Sequence, residues 1–321
     1  MTLHLEDKWI WDFWFARDDD HFHVFYLQAP KSVGDPEQRH WHVSIGHALS
    51  RDLRNWELLP DAIHPGKPSD WDDYTTWTGS VIQRQDLWYM FYTGTNREEN
   101  GLVQRIGVAT SRDLIHWGKY AGNPVMEVDT RWYEQLDTAI WHDQAWRDPF
   151  VFQEPETGTF HAFITARVNS GPPDERGVIA HTKSADLFHW EILPPLTNPG
   201  LFGQLEVPQL LKIRQMYYLL FSTQDWAYSE RYQRQLKSQP ITGVHYFVAD
   251  NPLGPFSNQS DELLIGDASG KLYSGKIVQA AQDEWVFLAF HNSDENGKFV
   301  GDLTDPIAVE VEKDGKLRLR I

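Results

Sequence analysis

Cysteine is absent from the 321 residues, so neither a disulfide nor a thiolate metal site can hold the fold, and no thiol can act as a nucleophile. Any nucleophile must be oxygen or nitrogen. No run of about 18 apolar residues occurs, and the opening MTLHLEDKW has neither a basic nor an apolar leader region. These features predict a soluble, cytoplasmic protein with no membrane partner. Positive charge is scarce as well: 29 Lys and Arg stand against 46 Asp and Glu, a formal net charge of −17. That balance opposes binding to nucleic acid or to an anionic membrane and favours a neutral or cationic ligand. Aromatic residues, by contrast, make up 14% of the chain and include 15 Trp. Their faces stack on the C–H faces of sugars and on other rings, although each can equally fill a β core.

A repeat organises the chain. Ser50-Arg-Asp-Leu-Arg-Asn-Trp56, Ser111-Arg-Asp-Leu-Ile-His-Trp117 and Ser184-Ala-Asp-Leu-Phe-His-Trp190 share the pattern S-x-D-L-x-x-W, and VADNPLGPF from Val248 is a weaker fourth copy. The copies lie roughly 60 to 75 residues apart, the length of a four-stranded propeller blade with its loops. A second series agrees in number: HVFYLQA, YMFYTGT, HAFITAR, YYLLFST and WVFLAFH each suit a strand. Ahead of each lies a further strand-like run: WIWDFWF, WTGSVIQ, WRDPFVF, EVPQLLKI and YSGKIVQ. Five such units predict an all-β, five-bladed β-propeller forming one domain over residues 1–321.

In a propeller the first strand of each blade lines the central channel. The polar residues of the five leading runs, Asp12, Ser80, Asp148, Glu206 and Ser274, are therefore candidates for chemistry. Three are carboxylates from three different blades. Asp148 adjoins Arg147 and could serve only a structural ion pair; Asp12 and Glu206 could each cap a turn or hold backbone amides. Together, three acids around one cavity suit glycosidic bond cleavage, in which one protonates the leaving oxygen, a second attacks the anomeric carbon or activates water, and a third anchors hydroxyls. Spacing alone does not distribute these roles.

These runs resemble glycoside hydrolase families 32 and 68, five-bladed propellers, and more distantly family 43. WIWDFW is similar to the segment that carries the nucleophile, Trp146-Arg147-Asp148-Pro149 matches the Arg-Asp-Pro motif of the transition-state stabiliser, and Leu205-Glu206-Val207-Pro208 resembles the general acid/base motif. IGHALSRDLRNW and WTGSVI follow the order of further family 32 segments. Phe13-Trp14 stands where family 32 has Pro-Asn, and Val207 replaces its Cys or Arg, so substrate contacts are expected to differ; the C-terminal β-sandwich usual in family 32 is expected to be lacking.

The resemblance implies a retaining β-fructofuranosidase with Asp12 as nucleophile, Glu206 as acid/base, Asp148 as stabiliser and Arg147 orienting it, acting on sucrose or short fructo-oligosaccharides without cofactor or resident metal. Candidate substrate contacts are Trp11, Gln28, Trp41, Trp77 and Ser80, with Trp9, Trp14, Thr78 and Tyr92 beside them. His291 is a candidate for a central ion or water, a satisfied core histidine being the favoured alternative. Rival functions are an inverting family 43-like arabinofuranosidase or xylosidase, a fructosyltransferase, and a non-catalytic lectin-like propeller. Oligomeric state is left open.

Overall fold

The computed structural model describes residues 2–257 and 263–320. Its strands form five antiparallel sheets of four, each built from strands consecutive in sequence. Blade one comprises β1 (Lys8–Arg17), β2 (Phe22–Pro30), β3 (Ser44–Ser50) and β4 (Glu57–Ile63). Blade two comprises β5 (Thr75–Arg84), β6 (Leu87–Thr95), β7 (Arg105–Ser111) and β8 (Gly118–Lys119). In blade three, β9 (Trp146–Gln153), β10 (Phe160–Arg167), β11 (Gly177–Ser184) and β12 (Glu191–Leu193) follow. Blade four holds β13 (Glu206–Ile213), β14 (Met216–Thr223), β15 (Thr242–Ala249) and β16 (Leu263–Asp267). Blade five closes the series with β17 (Leu272–Ala281), β18 (Glu284–His291), β19 (Ile307–Val311) and β20 (Leu317–Leu319).

The leading strands β1, β5, β9, β13 and β17 touch one another in ring order, and β17 returns to β1. The fold is a five-bladed β-propeller, and the ten runs read from the sequence are its first and second strands. Blades one and five meet through the backbone, with Ile10 N–H donating to Gly301 C=O (2.9 Å) and Leu303 N–H to Leu3 C=O (3.1 Å).

The S-x-D-L-x-x-W repeat marks the turn after the third strand of blades one, two and three. In each copy one Asp oxygen accepts two successive backbone N–H groups: Asp52 from Arg54 and Asn55, Asp113 from Ile115 and His116, Asp186 from Phe188 and His189. This side-chain turn drives the following chain back toward the sheet. It also holds Leu53, Leu114 and Leu187 at φ of 59°, 63° and 75°, a region costly for a residue with a Cβ. All three leucines are fully buried, at roughly 1.5–3 kcal/mol of apolar burial each, which offsets the strain. Trp117 and Trp190 then donate their indole N–H to the carbonyls of Leu114 and Leu187.

The core consists of layers between blades. Trp14, Phe25 and Leu114 belong to one layer, Tyr133, Trp146 and Ile164 to a second, Tyr218, Val244 and Phe287 to a third, and Phe163, Phe202 and Phe221 to a fourth. Most Trp and Phe residues therefore serve packing, while the channel end of the leading strands is left to polar groups.

Candidate active site

Every leading strand breaks its pairing at the same level. Asp12 is the extra residue between the pairs Trp11↔Leu27 and Phe13↔Tyr26, and Thr78 holds the corresponding place in β5. In β9, Asp148 and Pro149 stand opposite Ile164 alone; in β13, Val207 and Pro208 oppose Phe221; in β17, Ser274 and Gly275 oppose Ala289. A β-bulge of this kind re-aims side chains and ends regular pairing. The prolines of Asp148-Pro149 and Val207-Pro208 sit where the ladder is already interrupted, so their missing N–H costs nothing. Gly79 follows the bulge of β5 because a Cβ there would lie 1.9 Å from Phe91 O.

The bulge residues of the five blades are thus Asp12, Thr78, Asp148, Val207 and Ser274. Glu206 comes one residue before its bulge, at the level of Trp11, Trp77, Arg147 and Tyr273, and so is not register-equivalent to the two aspartates. The three acids therefore come from three blades but not from one register. A true equivalent of Asp12 in blade two is Thr78, not Ser80.

Hydrogen bonds within and between blades join these residues. Asp12 Oδ1 accepts from Ser274 Oγ, and Oδ2 from Thr78 Oγ1 at 2.9 Å. Thr93 Oγ1 donates to Thr78 C=O and accepts from Asp148 N–H, both at 3.0 Å. Asp148 Oδ2 accepts from Thr165 Oγ1 (3.0 Å) and from Val207 N–H (3.1 Å). Glu206 Oε1 accepts from Arg147 Nη2 (2.9 Å) and Oε2 from Tyr273 O–H (2.5 Å). Arg147 donates further to Gln104, Asp143 and Gln204, each at 3.2 Å, and lies 3.7 Å from Asp148 Oδ2.

Burial shapes the electrostatics. Asp12 is raised above the ordinary carboxyl range, chiefly by desolvation and secondarily by Glu206, against the opposing hydrogen bonds of Ser274 and Thr78. Asp148 is pushed up to about 7 by burial, with Arg147 opposing and the Asp12 and Glu206 charges adding to the rise. Burial alone would weaken the Arg147 proton, yet Asp143, Glu206 and Asp148 more than offset it, and its pKa is raised. Tyr273 is driven well above its usual range by burial and by Glu206, so it remains a donor to that carboxylate.

Asp12, Asp148, Glu206 and Arg147 line one cavity of about 620 Å³ together with Trp11, Trp41 and Trp77. Gln104, His142, Asp143, Gln204 and Trp226 complete the polar and aromatic wall. Trp77 is fixed by its indole N–H to His40 C=O (3.0 Å), and Trp41 stacks on Tyr74 at 5.1 Å. A neighbouring lobe shares Asp12, Glu206 and Trp11 and adds Tyr273, Asn292 and Phe299.

Two expected substrate contacts lie elsewhere. Gln28 sits on β2, one strand out from the axis, is buried, donates to Ser44 Oγ at 3.1 Å, and lines a separate side pocket with Lys8 and Asp61. Ser80, two residues beyond the bulge, accepts from Val151 N–H at 3.0 Å and stitches blade two to blade three. Trp9, Trp14 and Tyr92 are buried outside the cavity wall. His291 is neither axial nor a core histidine: its side chain is 39% exposed and pairs with Asp302 at 2.6 Å. Among the described residues, no group of three His, Cys, Asp or Glu side chains is placed to hold a metal.

Sequence reasoning passed over Tyr273, Gln204 and Lys276, although each is within two residues of a position it had singled out. Gln104, Asp143 and His142 arrive from loops of other blades and carry no local signal.

Comparison with known proteins places this geometry. The model of the glycosyl hydrolases family 32 N-terminal domain matches residues 12–307. An extracellular sucrase of Zymomonas mobilis is 25% identical over 359 residues, covering 97% of this chain and 81% of its own. An invertase of Schizosaccharomyces pombe is 23% identical over 303 residues; the match covers 87% of this chain but only 43% of the invertase. Among solved structures, an inulosucrase from Halalkalicoccus jeotgali bound to kestose superposes with a TM-score of 0.81 at 22% identity, covering 98% of this chain and 87% of its own. With the family model running from Asp12 into the fifth blade, the chain belongs to glycosyl hydrolase family 32.

Proposed function

We propose that this protein cleaves β-fructofuranosides such as sucrose or short fructo-oligosaccharides, with retention of configuration, through a covalent fructosyl-enzyme on Asp12. The observation that carries the reading is the unequal dressing of three carboxylates at one cavity floor. Asp12 reaches the cavity, and each of its oxygens takes one hydroxyl donor, from Ser274 or Thr78. These bonds stabilise the anion and fix its rotamer for attack at the anomeric carbon. Glu206 keeps 17% of its side chain exposed against 4% for Asp148, so it exchanges protons with solvent and substrate. That suits the group that protonates the leaving oxygen and later activates water.

Asp148 is the most enclosed of the three. Both of its protein donors go to Oδ2, which leaves Oδ1 for a sugar hydroxyl among the described residues. Arg147 links it to Glu206 and fixes their separation. When Asp12 is esterified its charge disappears, and with it the charge repulsion between Asp12 and Glu206. The similarity to a sucrase and an invertase supports the choice of sugar.

The test is a panel of sucrose, kestose, inulin, levan and aryl arabinosides, with the anomeric form of the first product followed by NMR. Fructose released initially as the β anomer is expected. Initial release of the α anomer, or turnover of arabinosides alone, would overturn the reading.

A further inference from the structure

One cation in the centre is unused by the mechanism above. Lys276, on β17 two residues past the bulge, is only 5% exposed, a rare state for lysine unless it is paired. Its Nζ donates to Val207 C=O at 2.8 Å and reaches Pro208 C=O at 3.4 Å. Val207 follows Glu206 in β13 as its bulge residue, and its φ is 53°. For a β-branched residue this is strongly disfavoured, so the surroundings must hold it. Two groups do so: Asp148 takes its N–H and Lys276 binds its C=O.

The chain of hydrogen bonds runs from Ser274 to Asp12, Thr78, Thr93, Asp148 and Val207. Lys276 ties Val207 of blade four to blade five, across the seam that Tyr273–Glu206 and Gln209–Ile277 also bridge. We propose that Lys276 is a positioning residue of the catalytic centre: its buried ammonium ties the bulge of blade four to blade five, holds Val207 so that Glu206 and Asp148 keep their places, and brings a positive charge to the carboxylates around Asp12. This rests on the role assigned to Asp12 above.

The charged groups that bear on the arrangement are few. Asp12 feels Glu206 and Asp148 as like charges, with Lys276 and, from the funnel wall, Arg39 opposing; Tyr273 adjoins it. Asp148 feels Arg147 and Lys276 as cations and Asp12 and Glu206 as anions. Because Arg147 is already bonded to Asp143 and Glu206, it does not replace an ammonium beside Asp12. Burial lowers Lys276 to about 8, and the Asp148 and Asp12 charges hold it from falling further, so near neutral pH it is mainly charged.

The test compares Lys276→Gln, which keeps a donor and removes the charge, with Lys276→Arg, which keeps the charge. For the Gln variant, the acid limb of the kcat/KM profile is expected to move up by about one pH unit, a roughly tenfold loss of activity on that limb. In the Arg variant the limb should stay at the wild-type position. A purely structural lysine would lower the unfolding temperature of both variants and leave the limb unmoved, and that result overturns the proposal. Should Lys276→Gln fail to fold, Lys276→Met, which also removes the charge, takes its place: a limb raised by about one pH unit supports the proposal, and an unmoved limb overturns it. Failure of the fructosidase reading is distinguishable, because wild-type protein would then turn over none of the fructosides, and the same profiles are read on the glycoside it does cleave.

Discussion

Asp148→Asn is expected to raise stability while removing activity, and the two effects have separable pH dependences. Asp148 has its carboxyl pushed from 3.8 to about 7, first by burial and then by the Asp12 and Glu206 charges against Arg147. The fold therefore prefers the protonated form. Its stabilising contribution is fully present below about pH 4 and is lost as pH rises through 7. At about 1.36 kcal/mol per pH unit, ionising this carboxyl in the fold costs about 4 kcal/mol by pH 8. Asparagine keeps a carbonyl oxygen for Thr165 and Val207 N–H and never ionises. The variant should match wild type near pH 4 and gain steadily toward pH 8. With about 2.1 cal/mol/K of unfolding entropy per residue, 4 kcal/mol corresponds to about 6 °C in this 321-residue chain. Thermal unfolding of both proteins from pH 4 to pH 8 measures it, and packing differences cancel because each protein is compared with itself. A stability difference that does not grow across that range would refute the electrostatic reasoning. Activity should fall by about 10²–10³, the loss typical of a removed transition-state contact.

Asp12→Ala and Glu206→Ala should each lower turnover on sucrose by about a thousand-fold or more with native-like circular dichroism; wild-type rates in either would remove the assignment. His245 is buried against Phe221 and accepts or donates at Tyr228 O–H (3.1 Å), with its pKa lowered to about 3 by burial. Its neutral form is favoured in the fold, so its contribution is present above about pH 6.5 and lost as pH falls, by about 2 kcal/mol at pH 5. The change in stability between pH 7 and pH 5, read from urea unfolding, should differ between wild type and His245→Phe by that amount, and an identical change in both would refute it. Arg167 is fully buried, donates to Glu134 (2.9 Å) and to Pro173 C=O (2.9 Å), and stacks on Trp141 at 3.6 Å. Arg167→Met should cost about 3–5 kcal/mol in denaturant unfolding, since it strips Glu134 of one of its two arginines; a cost below about 1 kcal/mol would contradict the pairing.

The blades were legible because their signals are local. In S-x-D-L-x-x-W the aspartate binds N–H groups two and three residues ahead, and the leucine it forces to positive φ is buried beside it, so the physics lies within seven residues. Alternating aromatic runs announced the leading strands for the same reason. Asp12, Asp148 and Glu206 stood out because acids are conspicuous in such runs, and the structure brings all three to one cavity. Gln28 and Ser80 were misplaced because their surroundings are set across strands and blades: Gln28 by Ser44 on the next strand, Ser80 by Val151 of the next blade.

The bulges account for what the sequence concealed. A bulge is a count of two residues against one on the partner strand, so no window of a single strand reveals it, and a side chain one position away faces another direction. That single position separates Thr78 from its neighbours and puts Glu206 at the level of Tyr273 instead of Asp12. Three of the five bulge residues, Asp148, Val207 and Ser274, sit at φ between 50° and 58°, a cost of order 1–3 kcal/mol each. The links that offset it all cross blade boundaries: Val207 N–H to Asp148, Ser274 to Asp12, Lys276 to Val207. The same bonds that make the strain tolerable bring the three acids to one cavity. The catalytic arrangement is therefore a property of the closed ring and not of any one blade, and a variant that loosens one inter-blade link should disturb the acids of the other blades as well as its own.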